Sequence, residues 1–209
     1  MNTYLFDFDG TLVDSMPVYA GVMLRILDEH AIAYENDIVK IITPLGYAGT
    51  ARYFRTLGID KTEEELCRLM REYMDEEYAH TIPQKPHVAE VLRQLKARGA
   101  SLNVLTASPH TVLDPCLKRL GLWELFDHVW SCDDFETTKA DPAIYHMAAA
   151  RIGKAVEDVL FLDDNLSADQ TAKAAGMRVC GVYDDSSAEY EAEIRAATDR
   201  YITDFSELL

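Results

Sequence analysis

The chain has 209 residues, 48% of them hydrophobic, with a formal charge of −16 and an isoelectric point near 4.7. That is enough apolar material for one large domain, or one domain with a smaller companion, and it excludes a disordered or low-complexity chain. The acidity argues against nucleic acid or an anionic membrane as a partner, since both want a basic patch, but it allows an anionic small molecule wherever a bound metal reverses the local field.

The first predicted strand, Tyr4-Leu5-Phe6, runs into Asp7-Phe8-Asp9-Gly10-Thr11. Side chains on a strand alternate faces, so Asp7 and Asp9 begin on the same side. Gly10 permits a sharp turn and Thr11 offers it a hydroxyl. At ~4 Å and an effective dielectric of ~20, two such carboxylates repel by about 4 kcal/mol. A hard divalent cation is the natural counter-charge.

Residues 15–83 read as helical throughout. Val18, Val22 and Ile26 form an apolar stripe with Tyr19, Met23 and Leu27 beside it. A short helix is expected over 38–42, stopped by Pro44, and another over 47–57, ending at Gly58. Thr62 with Glu65 forms a capping box, and the helix it starts, with Leu66, Leu69, Met70 and Tyr73 on its buried face, fades near His80.

Beyond Pro86 helices and strands alternate. A helix from Val88 to Gly99 precedes the strand Leu102–Thr106. Ser108-Pro109 reads as an N-cap followed by proline at the first helical position, and that helix ends at Gly121. A strand over 128–131 follows, then a helix from Pro142 to Gly153. The strand over 159–162 ends in Asp163-Asp164. An alanine-rich helix to Gly176, a strand over 178–182 and one or two helices complete the chain. This alternation predicts an α/β fold with a doubly wound, parallel, five-stranded, Rossmann-like sheet. Residues 15–83 are too many for a simple crossover and are expected to form an inserted all-α domain. The core is then 1–14 with 84–209.

Ligands of open α/β sheets bind beyond the C-terminal ends of the strands. There the sequence places Asp7 and Asp9, Thr106 and Ser108, Lys139, and Asp163 with Asp164. Carboxylates, hydroxyls and one ammonium fit phosphoryl transfer with a divalent metal. No G-x-G-x-x-G follows a strand and no G-x-S-x-G elbow occurs, so a dinucleotide site and a serine hydrolase are not expected. The six histidines show no zinc spacing, and the widely spaced Cys67, Cys116, Cys132 and Cys180 read as reduced thiols. No signal peptide and no run of about 18 apolar residues is seen, so the expected compartment is the cytoplasm.

In these residues the chain resembles the haloacid dehalogenase superfamily, and within it the phosphatases and phosphomutases with a helical cap. Asp7-Phe8-Asp9-Gly10-Thr11-Leu12-Val13-Asp14-Ser15 matches the first motif, D-x-D-G-T-L-x-D-S. Thr106 matches the second, Lys139 the third, and Asp163-Asp164 with Asp169 the acidic fourth. The resemblance implies Asp7 as nucleophile, forming an aspartyl phosphate, and Asp9 as general acid and then base. It implies Mg2+ held by Asp7, the Asp9 backbone carbonyl and Asp164, with Asp163 outside the direct ligand set or an occasional ligand. Thr106, Ser108 and Lys139 would bind phosphate, with Thr106 and Lys139 also catalytic. Asp169 is expected to be structural, orienting Lys139 or the metal shell.

The inserted domain would act as a cap, with hinges near 14–16 and 81–86. The stretch from Thr43 to Thr50, with Arg52, is a candidate for reading substrate. The expected activity is hydrolysis of a small phosphorylated metabolite. A phosphomutase resembling beta-phosphoglucomutase is the alternative, and a non-catalytic phosphate-binding protein a third reading. A monomer is expected, with a dimer as the alternative. Two positions depart from the family pattern. Ala140 stands where proline commonly follows the lysine, so the Lys139 loop is expected to be held less rigidly. His87 stands where glycine is common.

Overall fold

The computed structural model describes residues 2–35 and 37–209. In chain order the strand β1 (Thr3–Phe6) is followed by helices α1 (Met16–Glu29), α2 (Ile38–Ile42), α3 (Gly46–Thr56) and α4 (Glu63–His80). Next come α5 (Val88–Ala97), β2 (Ser101–Thr106), α6 (His110–Arg119), β3 (His128–Ser131) and α7 (Ala143–Ile152). The chain closes with β4 (Leu160–Asp163), α8 (Leu166–Ala174), β5 (Arg178–Val182), α9 (Glu191–Ala197) and β6 (Arg200–Ile202). None of these helices is long and apolar enough to cross a membrane. All four cysteines are free thiols.

The strands form one sheet in the order β3-β2-β1-β4-β5-β6, and every neighbouring pair is parallel. This is the doubly wound α/β architecture read from the alternation. The sheet has six strands rather than five. The missed strand β6, Arg200-Tyr201-Ile202, is three residues long and only its last residue is buried. So short a segment on the sheet's edge carries no apolar run to betray it.

The central strand β1 is buried at all four positions, as a parallel strand covered on both faces requires. One face packs Leu5, Phe161 and Val179 against Tyr145 and Ala148 of α7 and Ala168 and Ala172 of α8. On the other, Phe6 stacks on Phe205 and meets Phe126 edge-on, with ring centroids 6.2 Å apart in both pairs. The chain winds from β1 outward to β3, then returns to β4 on the opposite side of β1. The reversal leaves a crevice at the C-terminal ends of β1 and β4, where Asp7 and Asp163-Asp164 stand.

The backbone divides into two compact units. One comprises the chain up to Asp14 with Pro83–Leu209, and the other is Ser15–Ile82. In the second, α1 buries Val22, Met23, Ile26 and Leu27, and α4 buries Leu66, Met70, Met74 and Tyr78. The Thr62 capping box forms as read: its backbone N–H and hydroxyl both donate to the Glu65 carboxylate, and its hydroxyl accepts from the Glu65 N–H. Within the Thr43–Thr50 stretch, 43–45 form a single 3-10 turn and α3 begins at Gly46. Thr50 is buried and donates to the Ile42 carbonyl at 3.3 Å, and Arg52 lies 4.0 Å from Glu63.

Candidate active site

Asp7 follows directly on β1, and its backbone N–H still donates to the Leu162 carbonyl of β4 at 2.8 Å. Its side chain is therefore set by the sheet. The chain then doubles back on itself, with Leu12 and Val13 N–H groups both donating to the Phe8 carbonyl. Gly10 makes this turn at φ +75°, in the left-handed region. A Cβ there would lie 2.6 to 2.7 Å from the Asp164 carboxylate. Glycine is thus required twice, by the backbone angle and by the approach of Asp164. Beside it the Thr11 hydroxyl, fully buried, donates to Asp164 Oδ1 at 3.1 Å.

Asp7, Asp163 and Asp164 are all buried, and each offers a carboxylate oxygen within 4.8 Å of the others. Lys139 enters between β3 and α7, and its ammonium pairs with Asp7 Oδ1 and, at 2.8 Å, with Asp163 Oδ2. Asp163 Oδ1 accepts the Asn165 N–H at 2.8 Å, so both of its oxygens are engaged. Asp169 on α8 is fully buried, and neither carboxylate oxygen has a hydrogen-bond partner among the described residues.

The charges leave their mark on the proton affinities. Burial pushes the Asp7 carboxyl up to about 7; Lys139 opposes the rise, and Asp163 and Asp9 add to it. Burial, Asp163 and Asp164 push Asp169 up to about 9. Asp164 is raised well above the usual range by burial, Asp163 and Asp7. For Lys139, burial works against the charge, but Asp163 and Asp7 outweigh it and hold the ammonium protonated. A dense set of hard oxygen donors short of cations, together with an orphaned buried carboxylate, fits a divalent ion.

Asp9 and its neighbours complete the rim. The sequence suggested Ser108 as the cap of α6. Instead α6 starts at His110 without a side-chain cap, and the Ser108 hydroxyl donates to Asp9 Oδ2 at 2.6 Å. Thr106 is buried at the end of β2, and its Oγ1 accepts the Ser108 N–H at 3.0 Å, leaving its own proton to donate.

The departures from the family pattern are compensated locally. With Ala140 in place of proline, hydrogen bonds still tie the Lys139 loop to its surroundings. The Tyr145 hydroxyl, six residues on, lies 3.0 Å from the Lys139 carbonyl and 3.1 Å from the Ala168 carbonyl. The Asp141 N–H donates to the Thr138 carbonyl at 3.0 Å. His87 adopts φ +62°, a strained angle for a side chain, and its Nδ1 lies 2.7 and 2.8 Å from the two Asp204 oxygens. Tyr145 was not singled out from sequence. Its one signal is a polar aromatic on the core-facing side of the helix that follows Lys139.

Comparisons with known proteins agree with this fold. A family model described as haloacid dehalogenase-like hydrolase matches residues 4–182. A phosphoglycolate phosphatase of Salmonella typhi is 30% identical over 199 residues, covering 85% of this chain and 79% of the relative. A phosphorylated carbohydrates phosphatase of Thermotoga maritima is 27% identical over 184 residues, covering 87% and 85%. The solved structure of a beta-phosphoglucomutase-like protein from Thermotoga maritima superposes with a TM-score of 0.85 at 24% identity, covering all of this chain and 97% of the other.

Three outcomes follow from the site. In Gly10→Ala the new methyl group displaces the Asp164 carboxylate, and divalent-ion affinity measured by calorimetry falls on the order of tenfold or more. Tyr145→Phe removes the one proton that the Lys139 and Ala168 carbonyls share; stability in urea drops by about 1–3 kcal/mol, and turnover falls with KM less affected. The pH dependence has a definite sign. Carboxyls with a raised folded pKa stabilise fully only below their unfolded value, and that contribution is lost as pH rises through the folded one. With Asp7 near 7 and Asp169 near 9, the melting temperature in chelator falls steadily from pH 5 to pH 9, and Mg2+ flattens the slope. A flat profile in chelator would contradict this.

Proposed function

The chain belongs to the haloacid dehalogenase-like hydrolase family, and from that membership and the carboxylate geometry we propose that it is a Mg2+-dependent phosphatase acting on a small phosphomonoester. The observation that carries the reading is the buried Asp7 carboxylate at the crevice of the sheet, clamped by Lys139 and flanked by Asp163 and Asp164. A carboxylate so placed is a nucleophile whose partner charges are already assembled.

An Asp7 oxygen attacks phosphorus, and the bond from phosphorus to the ester oxygen breaks. Asp9 gives its proton to the departing alkoxide, so that an alcohol leaves and an aspartyl phosphate remains on Asp7. A water then attacks this phosphorus while Asp9 takes the water's proton, releasing phosphate and restoring both aspartates. The Ser108 hydroxyl, 2.6 Å from Asp9 Oδ2, fixes the orientation of the proton carrier. Thr106 donates to a phosphoryl oxygen, and Lys139 neutralises the charge gathering on phosphate and nucleophile. Mg2+ would be held by Asp7, the Asp9 carbonyl and Asp164, and when bound it supplies the charge that lets a dianion approach a carboxylate. Asp163, whose two oxygens are taken by Lys139 and the Asn165 N–H, serves by holding Lys139.

The substrate class proposed is a small phosphorylated metabolite, a hydroxy-acid phosphate or a sugar phosphate, in line with the names of the two relatives. A panel of such esters assayed for phosphate release, with Mg2+ and with chelator, tests the reading. Release that stops in chelator is expected. Isomerisation of a sugar phosphate without release would assign a phosphomutase instead, and no activity together with no metal binding would defeat the enzyme reading. Asp7→Asn is expected to lower turnover on the order of 10^3-fold or more, and Asp9→Asn by roughly 10^2 to 10^4-fold.

A further inference from the structure

A second buried ammonium stands at the end of β5. Lys85 lies on the segment by which the chain returns to the sheet unit. Its Nζ is 2.8 Å from Asp184 Oδ2 and donates to the Tyr183 carbonyl at 2.7 Å. The two side chains are 13% and 3% exposed. A buried ion pair of this kind is tolerated only where its remaining valences are met. Here Asp184 Oδ1 accepts the Ser186 N–H at 2.9 Å and the Ser186 hydroxyl at 2.5 Å. Burial works against the Asp184 charge, but Lys85 and Ser186 outweigh it and hold the carboxyl below its usual range. Asp184 is therefore an anion at neutral pH.

The same residue is fixed through its backbone. The Lys85 N–H donates to the Leu12 carbonyl at 3.0 Å, the Asp14 N–H donates to the Pro83 carbonyl at 2.9 Å, and Val13 bridges Gln84 in antiparallel fashion. The segment leaving the catalytic turn and the segment returning are thus paired, and Lys85 pins the pair to β5. The turn that Lys85 meets carries Thr11, whose hydroxyl donates to Asp164 Oδ1 at 3.1 Å, and β5, which Asp184 follows, is hydrogen-bonded to β4, the strand that ends in Asp163.

We propose that Lys85 is a positioning residue for the catalytic centre: by neutralising Asp184 it keeps a further carboxylate from drawing in the divalent ion and from repelling the substrate's phosphate. The inference rests on the phosphatase reading above. Without Lys85 the centre carries one more uncompensated negative charge. A cation then gains and a phosphate dianion loses. A residue of purely structural importance would weaken both together or leave both unchanged.

The experiment measures Mn2+ binding by calorimetry on substrate-free protein, inorganic phosphate as a competitive inhibitor, and KM for whichever ester the wild-type protein hydrolyses. In Lys85→Met, Mn2+ binds about three- to tenfold more tightly, while the phosphate inhibition constant and KM rise by a similar factor. Asp184→Asn, which leaves the ammonium unpaired, shifts both in the opposite directions. The double variant returns both toward wild type, and Lys85→Arg stays near it. Should Lys85→Met fail to fold, Asp184→Asn alone decides the matter. Shifts of the two ligands in the same direction, or none, in protein whose wild type binds Mn2+ and hydrolyses an ester, overturn the role of Lys85 alone. A wild type that does neither overturns the phosphatase reading and this inference with it.

Discussion

Three aspartates held with their oxygens within 4.8 Å at the buried edge of a parallel sheet repel one another, and everything else at that edge answers the repulsion. At ~4 Å and an effective dielectric of ~20, each ionised pair costs about 4 kcal/mol. Lys139 cancels one charge by lying between Asp7 and Asp163. The Thr11 hydroxyl and the bare Cα of Gly10 let Asp164 come close without a clash. Asn165 caps α8 and passes its own N–H to Asp163, so the helix begins directly beyond the cluster, its positive end toward the carboxylates. The repulsion that remains is what a divalent cation would offset.

How much of this could be read from the sequence depended on whether a residue acts through a neighbour in the chain or through a partner far away. Asp7, Asp9, Thr106 and Asp163-Asp164 were legible as candidates because each sits at the end of a strand whose apolar run is unmistakable, and Lys139 because it lies in the loop after another such strand, β3. The Thr62–Glu65 capping box was legible for the same reason, since it spans three residues. Ser108 was misread because a local rule, serine before proline at a helix start, competes with a partner 99 residues away at Asp9. Tyr145 and Lys85 were passed over because their partners lie on other elements, and nothing in their immediate surroundings distinguishes them. β6 went unseen because three residues on an edge strand need no hydrophobic pattern.

The two departures from the family pattern teach a related lesson. Proline after the lysine and glycine before α5 are backbone solutions, one restricting a loop and the other permitting a left-handed angle. This chain reaches the same ends with side chains. Tyr145 holds the Lys139 carbonyl, and Asp204 holds His87 in its strained conformation. A motif that departs from its family's letters can therefore be braced by side chains outside the motif.

The charge balance also bears on how Asp7 can serve as a nucleophile at all. To attack, its carboxyl must be ionised, yet burial alone favours the proton and brings the carboxyl to about 7 even with Lys139 beside it. The proposed nucleophile is thus poised so that a change in nearby charge alters its ionised fraction near neutral pH. Each cation at the site has a double effect: it lowers the proton affinity of Asp7, and it lowers the barrier to a dianion's approach. Each uncompensated anion does the reverse on both counts. Asp7 is the proposed nucleophile on the strength of the first strand, and its readiness is a property of the whole set of charges. That is why residues as far from the chemistry as Asp184 and Lys85, tied to the paired segments at Val13 and Gln84, belong to the account of the site.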